Sequence, residues 1–197
     1  MLEKFKDYLR VKAGLTDEQF TAISGKLKTR KIAKGTILLR QGEVCHHSFF
    51  VSSGLLRSYT IDTAGKEHII QFAPENWMIT DRSSNYFNEP SELFIDAIED
   101  TEFILVTNEF IDAAACSSQS FQRYDNRALH NHIRHLQSRV SLLLGATAEQ
   151  RYLDFIKLYT ELTLRIPQWM IASYLGITPE SLSRVRKELA HKNFKPY

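Results

Sequence analysis

Gln168–Leu189, QWMIASYLGITPESLSRVRKEL, reads as two short helices joined by a tight turn, and the rest of the chain is organised around it. Ile171 and Leu175 form an i,i+4 apolar pair on the first helix. Leu182, Val185 and Leu189 repeat at spacings of three and four on the second. Ala172 is small enough for the second helix to cross close over the first. Gly176 permits the positive φ of the turn, and Ile177 follows it. Thr178 fits an N-cap, with Pro179 at the first helical position, where a missing N–H costs nothing. Seven positions (171, 172, 175, 176, 177, 182 and 185) therefore meet the demands of a helix-turn-helix, against the plainer reading of a solvated helical hairpin.

Projected at 100° per residue, the far face of the second helix shows Glu180, Arg184, Lys187 and His191, flanked by Ser181 and Ser183. These side chains carry the donors and acceptors that base edges and phosphates in a major groove accept. Arg184 suits guanine O6/N7 and Glu180 a cytosine amino group. Ser181, Arg186 and Lys187 suit phosphates, and Thr178 starts the helix that presents them.

The 197 residues are long for one domain and sufficient for two small ones. The net charge of +2 conceals an asymmetry: residues from Arg165 onward carry +4 and residues 1–164 carry −2. A basic end on a mildly acidic body fits nucleic-acid binding at one end only. The N-terminus MLEKFKDYLR is charged from its third residue, which argues against a signal peptide. No apolar run approaches the ~18 residues of a membrane span. Cys45 and Cys116 stand far apart without a CxxC, so reduced thiols in the cytoplasm are expected.

Residues 2–27 read as helical, with Thr16 capping a second helix. From Thr29 to Asn108 short β-rich segments alternate with Gly, Pro, Asn and Asp, which predicts an antiparallel barrel or jelly roll. Asp62–Lys66 forms a hairpin-like turn around Gly65. Helical spacing then returns: Leu129, Ile133, Leu136, Val140 and Leu143 lie at intervals of 4, 3, 4 and 3, a seam over two heptads that suits pairing with a second copy, against the plainer reading of a stripe packed on the barrel. Leu144-Gly145-Ala146 reads as a hinge and Thr147–Gln150 as a capping box. The expected organisation is α+β: a jelly-roll sensor over 1–115, a dimerisation helix over 116–145, and a helix-turn-helix domain over 146–197.

A small β-barrel, a long dimer helix and a C-terminal helix-turn-helix together resemble the family of cyclic AMP receptor protein and Fnr, the Crp/Fnr regulators, over essentially the whole chain. The carriers are Lys34-Gly35-Thr36, Arg40–Glu43, Phe50–Gly54 and the helix-turn-helix. The resemblance implies a cyclic-nucleotide-binding fold whose ligand state passes through the long helix to two reading heads. It also implies double-stranded DNA, a second copy and RNA polymerase as partners. Base-reading positions of the family match Glu180 and Arg184; Pro179 stands where relatives often carry Arg, so a different target sequence is expected. Relatives continue into a β-hairpin wing, whereas this sequence ends at Lys195-Pro196-Tyr197, so an absent or shortened wing and weaker phosphate contact are expected. That raises an alternative, a ligand-sensing protein-interaction dimer with a vestigial helix-turn-helix.

The pocket signature departs from the family. Ile79-Thr80 replaces Gly-Glu, and Ser91-Glu92 replaces the Arg-Ser that anchors the cyclic phosphate. Phe72, Trp77, Thr80, Asp81, Arg82, Ser91 and Glu92 are the candidate pocket residues, although aromatic residues in such a place are more often barrel core. Cyclic AMP is not the favoured effector, which is left unknown. Two cysteines cannot supply the four thiolates of an Fnr-type iron–sulfur cluster, and no haem signature is discernible. His130, His132 and His135 lack a carboxylate or thiolate at ligand spacing, so no metal site is expected. Glu99-Asp100 and Ser83-Ser84 lack the partners of catalysis, so no enzyme is expected either.

Overall fold

The computed structural model describes residues 1–193; the expectation about a wing at Lys195–Tyr197 lies outside them. The chain divides into two compact units, one of residues 1–60 and 70–131, the other of residues 61–69 and 132 onward.

The first unit opens with α1 (Leu2–Ala13) and α2 (Asp17–Ile23). Thr16 caps α2 through a full capping box with Gln19, as its sequence demands. Eight strands follow: β1 (Lys28–Ile32), β2 (Ile37–Leu39), β3 (Ser48–Ser53), β4 (Leu56–Ile61), β5 (Glu67–Ala73), β6 (Met78–Ile79), β7 (Phe94–Ala97) and β8 (Thr101–Val106). They form two four-stranded sheets, ordered β1-β8-β3-β6 and β2-β7-β4-β5. A short helix, α3 (Arg82–Phe87), sits between β6 and β7. Behind β8 come α4 (Asn108–Ser117) and the long α5 (Gln119–Gly145), whose residues from His132 onward belong to the second unit.

Strand β3, SFFVSS, is buried without alternation from Ser48 to Ser52 because both its faces are covered. Phe49 and Val51 join Leu39, Leu56, Ile79, Ile95 and Phe103 in the core between the sheets. Phe50 turns the other way, into a second core where Phe5, Phe20, Phe110 and Phe121 cover the outer face of the sheet. The Phe5 and Phe50 rings approach to 4.6 Å. Gly54, at φ 93°, turns the chain from β3 into β4. A Cβ there would lie 2.5 Å from the Asp100 carbonyl oxygen, so no other residue fits without moving backbone.

In the second unit α6 (Ala148–Leu158), α7 (Leu162–Arg165), α8 (Gln168–Leu175) and α9 (Pro179–Asn193) follow α5. Thr147 and Gln150 form the capping box read from the sequence. Phe155, Tyr159 and Tyr174 pack their rings at 5.2–5.7 Å to make an aromatic core. No helix among the described residues is long and apolar enough to cross a membrane.

Candidate nucleic-acid interface

Helix α8 is buried on nearly every side: Met170, Ile171, Ala172, Tyr174 and Leu175 are all inside. It ends at Gly176 in the left-handed conformation (φ 65°), with the Ile177 N–H returning to the Ala172 carbonyl at 3.0 Å. Thr178 then starts α9, its hydroxyl accepting the Ser181 N–H at 3.2 Å and donating to Ser181 Oγ at 3.2 Å. Leu182 and Val185 are buried and fix the inner face of α9. Its outer face carries Glu180, Ser183, Arg184, Lys187 and His191, all exposed, with Ser181 and Arg186 half-buried at the margins. Among the described residues Arg184, Arg186 and Lys187 make no ion pair, so their charges are available to an external anion. Lys192 is engaged instead with Glu149 of α6 at 2.8 Å. The Glu180 carboxyl is held below the usual carboxylate range by its own backbone N–H and by Thr178, which keeps it an acceptor at neutral pH.

Two arginines outside the helix-turn-helix motif position it, and their sequence context offers no signal of the role. Arg151 of α6 donates to three carbonyls: Ala146 (3.1 Å) and Leu143 (3.0 Å) at the end of α5, and Leu175 (3.0 Å) at the end of α8. One guanidinium thus satisfies the orphan acceptors of two helix C-termini, where cations are favoured. Arg139 of α5 donates to the carbonyls of Ile69 (2.8 Å) and Tyr174 (3.1 Å) and lies 3.9 Å over the Tyr174 ring. Ser173 of α8 completes this contact within the second unit, accepting from the Ile69 N–H at 3.0 Å and donating to the Glu67 carbonyl at 2.9 Å.

Along α5, Leu129, Ile133, Leu136, Val140 and Leu143 form an apolar row between 38% and 55% exposed. Five large apolar side chains left this open on one helix stripe are an uncovered face. His135, on the same helix, has its pKa lowered chiefly by burial and further by Arg139.

Of the seven candidate pocket residues, Thr80, Asp81 and Ser91 lie together. Phe72 is fully buried, and Trp77 packs against the core between the sheets. Asp81, buried, caps α3 by accepting the Ser84 N–H (3.2 Å) and also accepts the Ser91 hydroxyl at 2.7 Å. Thr80 donates to the His47 carbonyl at 3.1 Å. Arg82 and Glu92 are exposed. A buried ion pair that the sequence reading missed joins β4 and β7: Arg57 grips both oxygens of Asp96 at 2.8 Å and lies 4.2 Å over the Tyr59 ring, which stacks on Phe94. A cavity of about 360 Å³ opens elsewhere, among β1, β2, β3 and β8, and none of the seven lines it.

The model of the cyclic nucleotide-binding domain matches residues 29–115. The anaerobic regulatory protein of Haemophilus influenzae is 25% identical over 183 residues, covering 87% of this chain and 70% of its own length. Transcriptional activator protein anr of Pseudomonas aeruginosa is 27% identical over 183 residues, covering 87% of this chain and 74% of its own. Among solved structures, FixK2 from Bradyrhizobium japonicum superposes with a TM-score of 0.70 at 23% identity, covering 87% of this chain and 88% of that one. A CooA variant from Carboxydothermus hydrogenoformans reaches 0.71 at 18%, covering 92% and 88%. A cyclic-nucleotide-type barrel, a long helix and a capped helix-turn-helix, joined to these likenesses, are what the chain has in common with the regulators of the Crp/Fnr family, to which it is similar along most of its length.

Proposed function

We infer that this protein is a DNA-binding transcription regulator that works in the cytoplasm as a homodimer. The observation that carries the reading is α9, whose apolar side is locked by Leu182 and Val185 while Glu180, Arg184 and Lys187 are exposed on the other. A vestigial helix-turn-helix would have no need of an N-cap, a left-handed glycine and an unpaired cationic row together, so the protein-interaction alternative is not favoured. Thr178, Glu180, Ser181, Ser183, Arg184, Arg186 and Lys187 are the residues assigned to DNA, and Leu129, Ile133, Leu136, Val140 and Leu143 those assigned to the partner copy. Two copies joined along α5 would place recognition helices in successive major grooves about 34 Å apart. RNA polymerase is the protein that such a regulator would meet on its promoter.

Cyclic AMP fits this barrel poorly. Ser91, at the position assigned to the family's anchoring Arg, commits its hydroxyl to the buried Asp81 carboxylate, and Glu92 adds a second negative charge beside it. A cyclic phosphate there would meet an anion in place of a bidentate cation. The sensor residues proposed from Phe72 to Glu92 therefore await another effector.

The reading is tested by gel shift on the DNA upstream of the coding sequence, with Arg184→Ala beside the parent protein. Saturable, salt-sensitive binding is expected, with Arg184→Ala costing roughly 1–3 kcal/mol on the operator and relaxing preference at one base pair per half-site. Equal losses on operator and random DNA would refute the base-reading role, and no binding at low salt would refute the regulator.

A further inference from the structure

The cavity of about 360 Å³ lies among Ile32, Leu38, Leu39, Phe49, Phe103 and Leu105, with Arg30, Glu43, His46 and His47 at its polar rim. Its volume is within the range of small-ligand sites, and its walls are apolar, as such sites require. Arg30 brings a cation to this rim. On β1 the register sets Arg30 opposite Phe103 and Lys28 opposite Leu105, so both cations share the face that carries Ile32 and the cavity. Lys31, on the opposite face of the strand, has an ion-pair partner in Glu102. Among the described residues Lys28 and Arg30 have none.

His47 is affected by one of these charges: its pKa is lowered by burial first and then by His46 and Lys28, with Glu109 acting in opposition. Of the acidic groups nearby, Glu43 has one carboxylate oxygen committed to the Arg40 N–H at 2.9 Å. Arg30 on the lining of an apolar hollow, with Lys28 further along the same strand face, complements an anion with a hydrocarbon body. Inward charges on an outer strand also guard against edge pairing, and the experiment separates the two roles.

We propose that this cavity is a binding site for a small amphiphilic carboxylate, its tail among Leu38, Phe49, Phe103 and Leu105 and its head on Arg30. The site is separate from the residues 72–92 assigned to the family's effector pocket and independent of DNA reading. The probe is decanoate, titrated calorimetrically into the full-length protein. Binding with a Kd below roughly 0.1 mM is expected, with decan-1-ol at least about tenfold weaker because it cannot make the charge-assisted bond. Arg30→Gln should weaken decanoate by about tenfold, Lys31→Gln on the opposite face should leave it unchanged, and Leu38→Trp should fill the hollow and abolish binding. Absence of binding up to millimolar decanoate would overturn the proposal and leave Lys28 and Arg30 as edge guards. Decanol binding as tightly as decanoate, an Arg30→Gln protein that binds normally, or retention in folded Leu38→Trp would each overturn it too. Arg30→Gln alters only an exposed side chain, so it decides the matter even where Leu38→Trp does not fold.

Discussion

Replacing Arg151 by Met removes the group that closes the ends of two helices while keeping much of the side chain's apolar bulk. Three carbonyls lose a charged donor: those of Leu143, Ala146 and Leu175. Hydrogen bonds to a charged group contribute about 1.5–3 kcal/mol each when shielded, which would sum to well above 4 kcal/mol. Arg151 is half-buried, so water can reach the freed carbonyls and reduces that figure. A cation at a helix C-terminus is worth only about 0.3–1 kcal/mol on an open surface, and two termini are served here. Between these limits the expected destabilisation is about 2–4 kcal/mol, confined to the second unit. The chain's two tryptophans allow a selective assay, because Trp77 belongs to the first unit and Trp169 to the second. In a Trp77→Phe background, urea unfolding followed by Trp169 emission reports the second unit alone. Arg151→Lys, able to reach one carbonyl as a point charge, should recover only part of the loss. A change below about 0.5 kcal/mol, the range of ordinary surface substitutions, would refute the idea that one guanidinium joins α5, α6 and α8.

Lys187→Ala should weaken operator and random DNA alike and lower the salt dependence of binding by about one phosphate contact, read as the slope of log K against log salt; an unchanged slope would remove Lys187 from the interface. Leu136→Glu sets a charge in the middle of the open α5 row and should cost at least about 2 kcal/mol of association, roughly a thirtyfold weaker dimer by sedimentation. His47 and His135 both have pKa values lowered from 6.5 by burial. The unfolded chain then takes up these protons first as pH falls. Their contribution to stability is whole above about 6.5 and is lost as pH drops through the lowered folded values. His135→Gln should accordingly flatten the loss of stability on acidification, measured by urea unfolding at a series of pH values.

The helix-turn-helix could be read from residues alone because everything it needs is local. Apolar spacing at 171, 175, 182 and 185, one turn glycine at 176 and a cap at 178 are properties of a continuous stretch, and helix periodicity converts them directly into faces. The same holds for the cap at Thr16, the capping box at Thr147 and the row from Leu129 to Leu143. The β segments showed where strands would lie but not how they pair. Strand β3 has no alternation, and its partner β8 lies some fifty residues away. The short helix α3 inside Glu75–Ala97 went unseen, since six residues carry too little periodicity to register.

What tertiary structure alone decided are the contacts between groups distant in sequence. Arg57 meets Asp96 across neighbouring strands, Arg151 reaches a carbonyl 24 residues on, and the cavity takes its walls from β1, β2, β3 and β8. A hydrogen bond or a hollow depends on where side chains converge, and convergence is set by strand order and helix crossing, which leave no periodic trace in the chain. For that reason the exposed polar face of α9 was evident from the sequence, while the residues that hold that helix in place, and the hollow between the strands, were not.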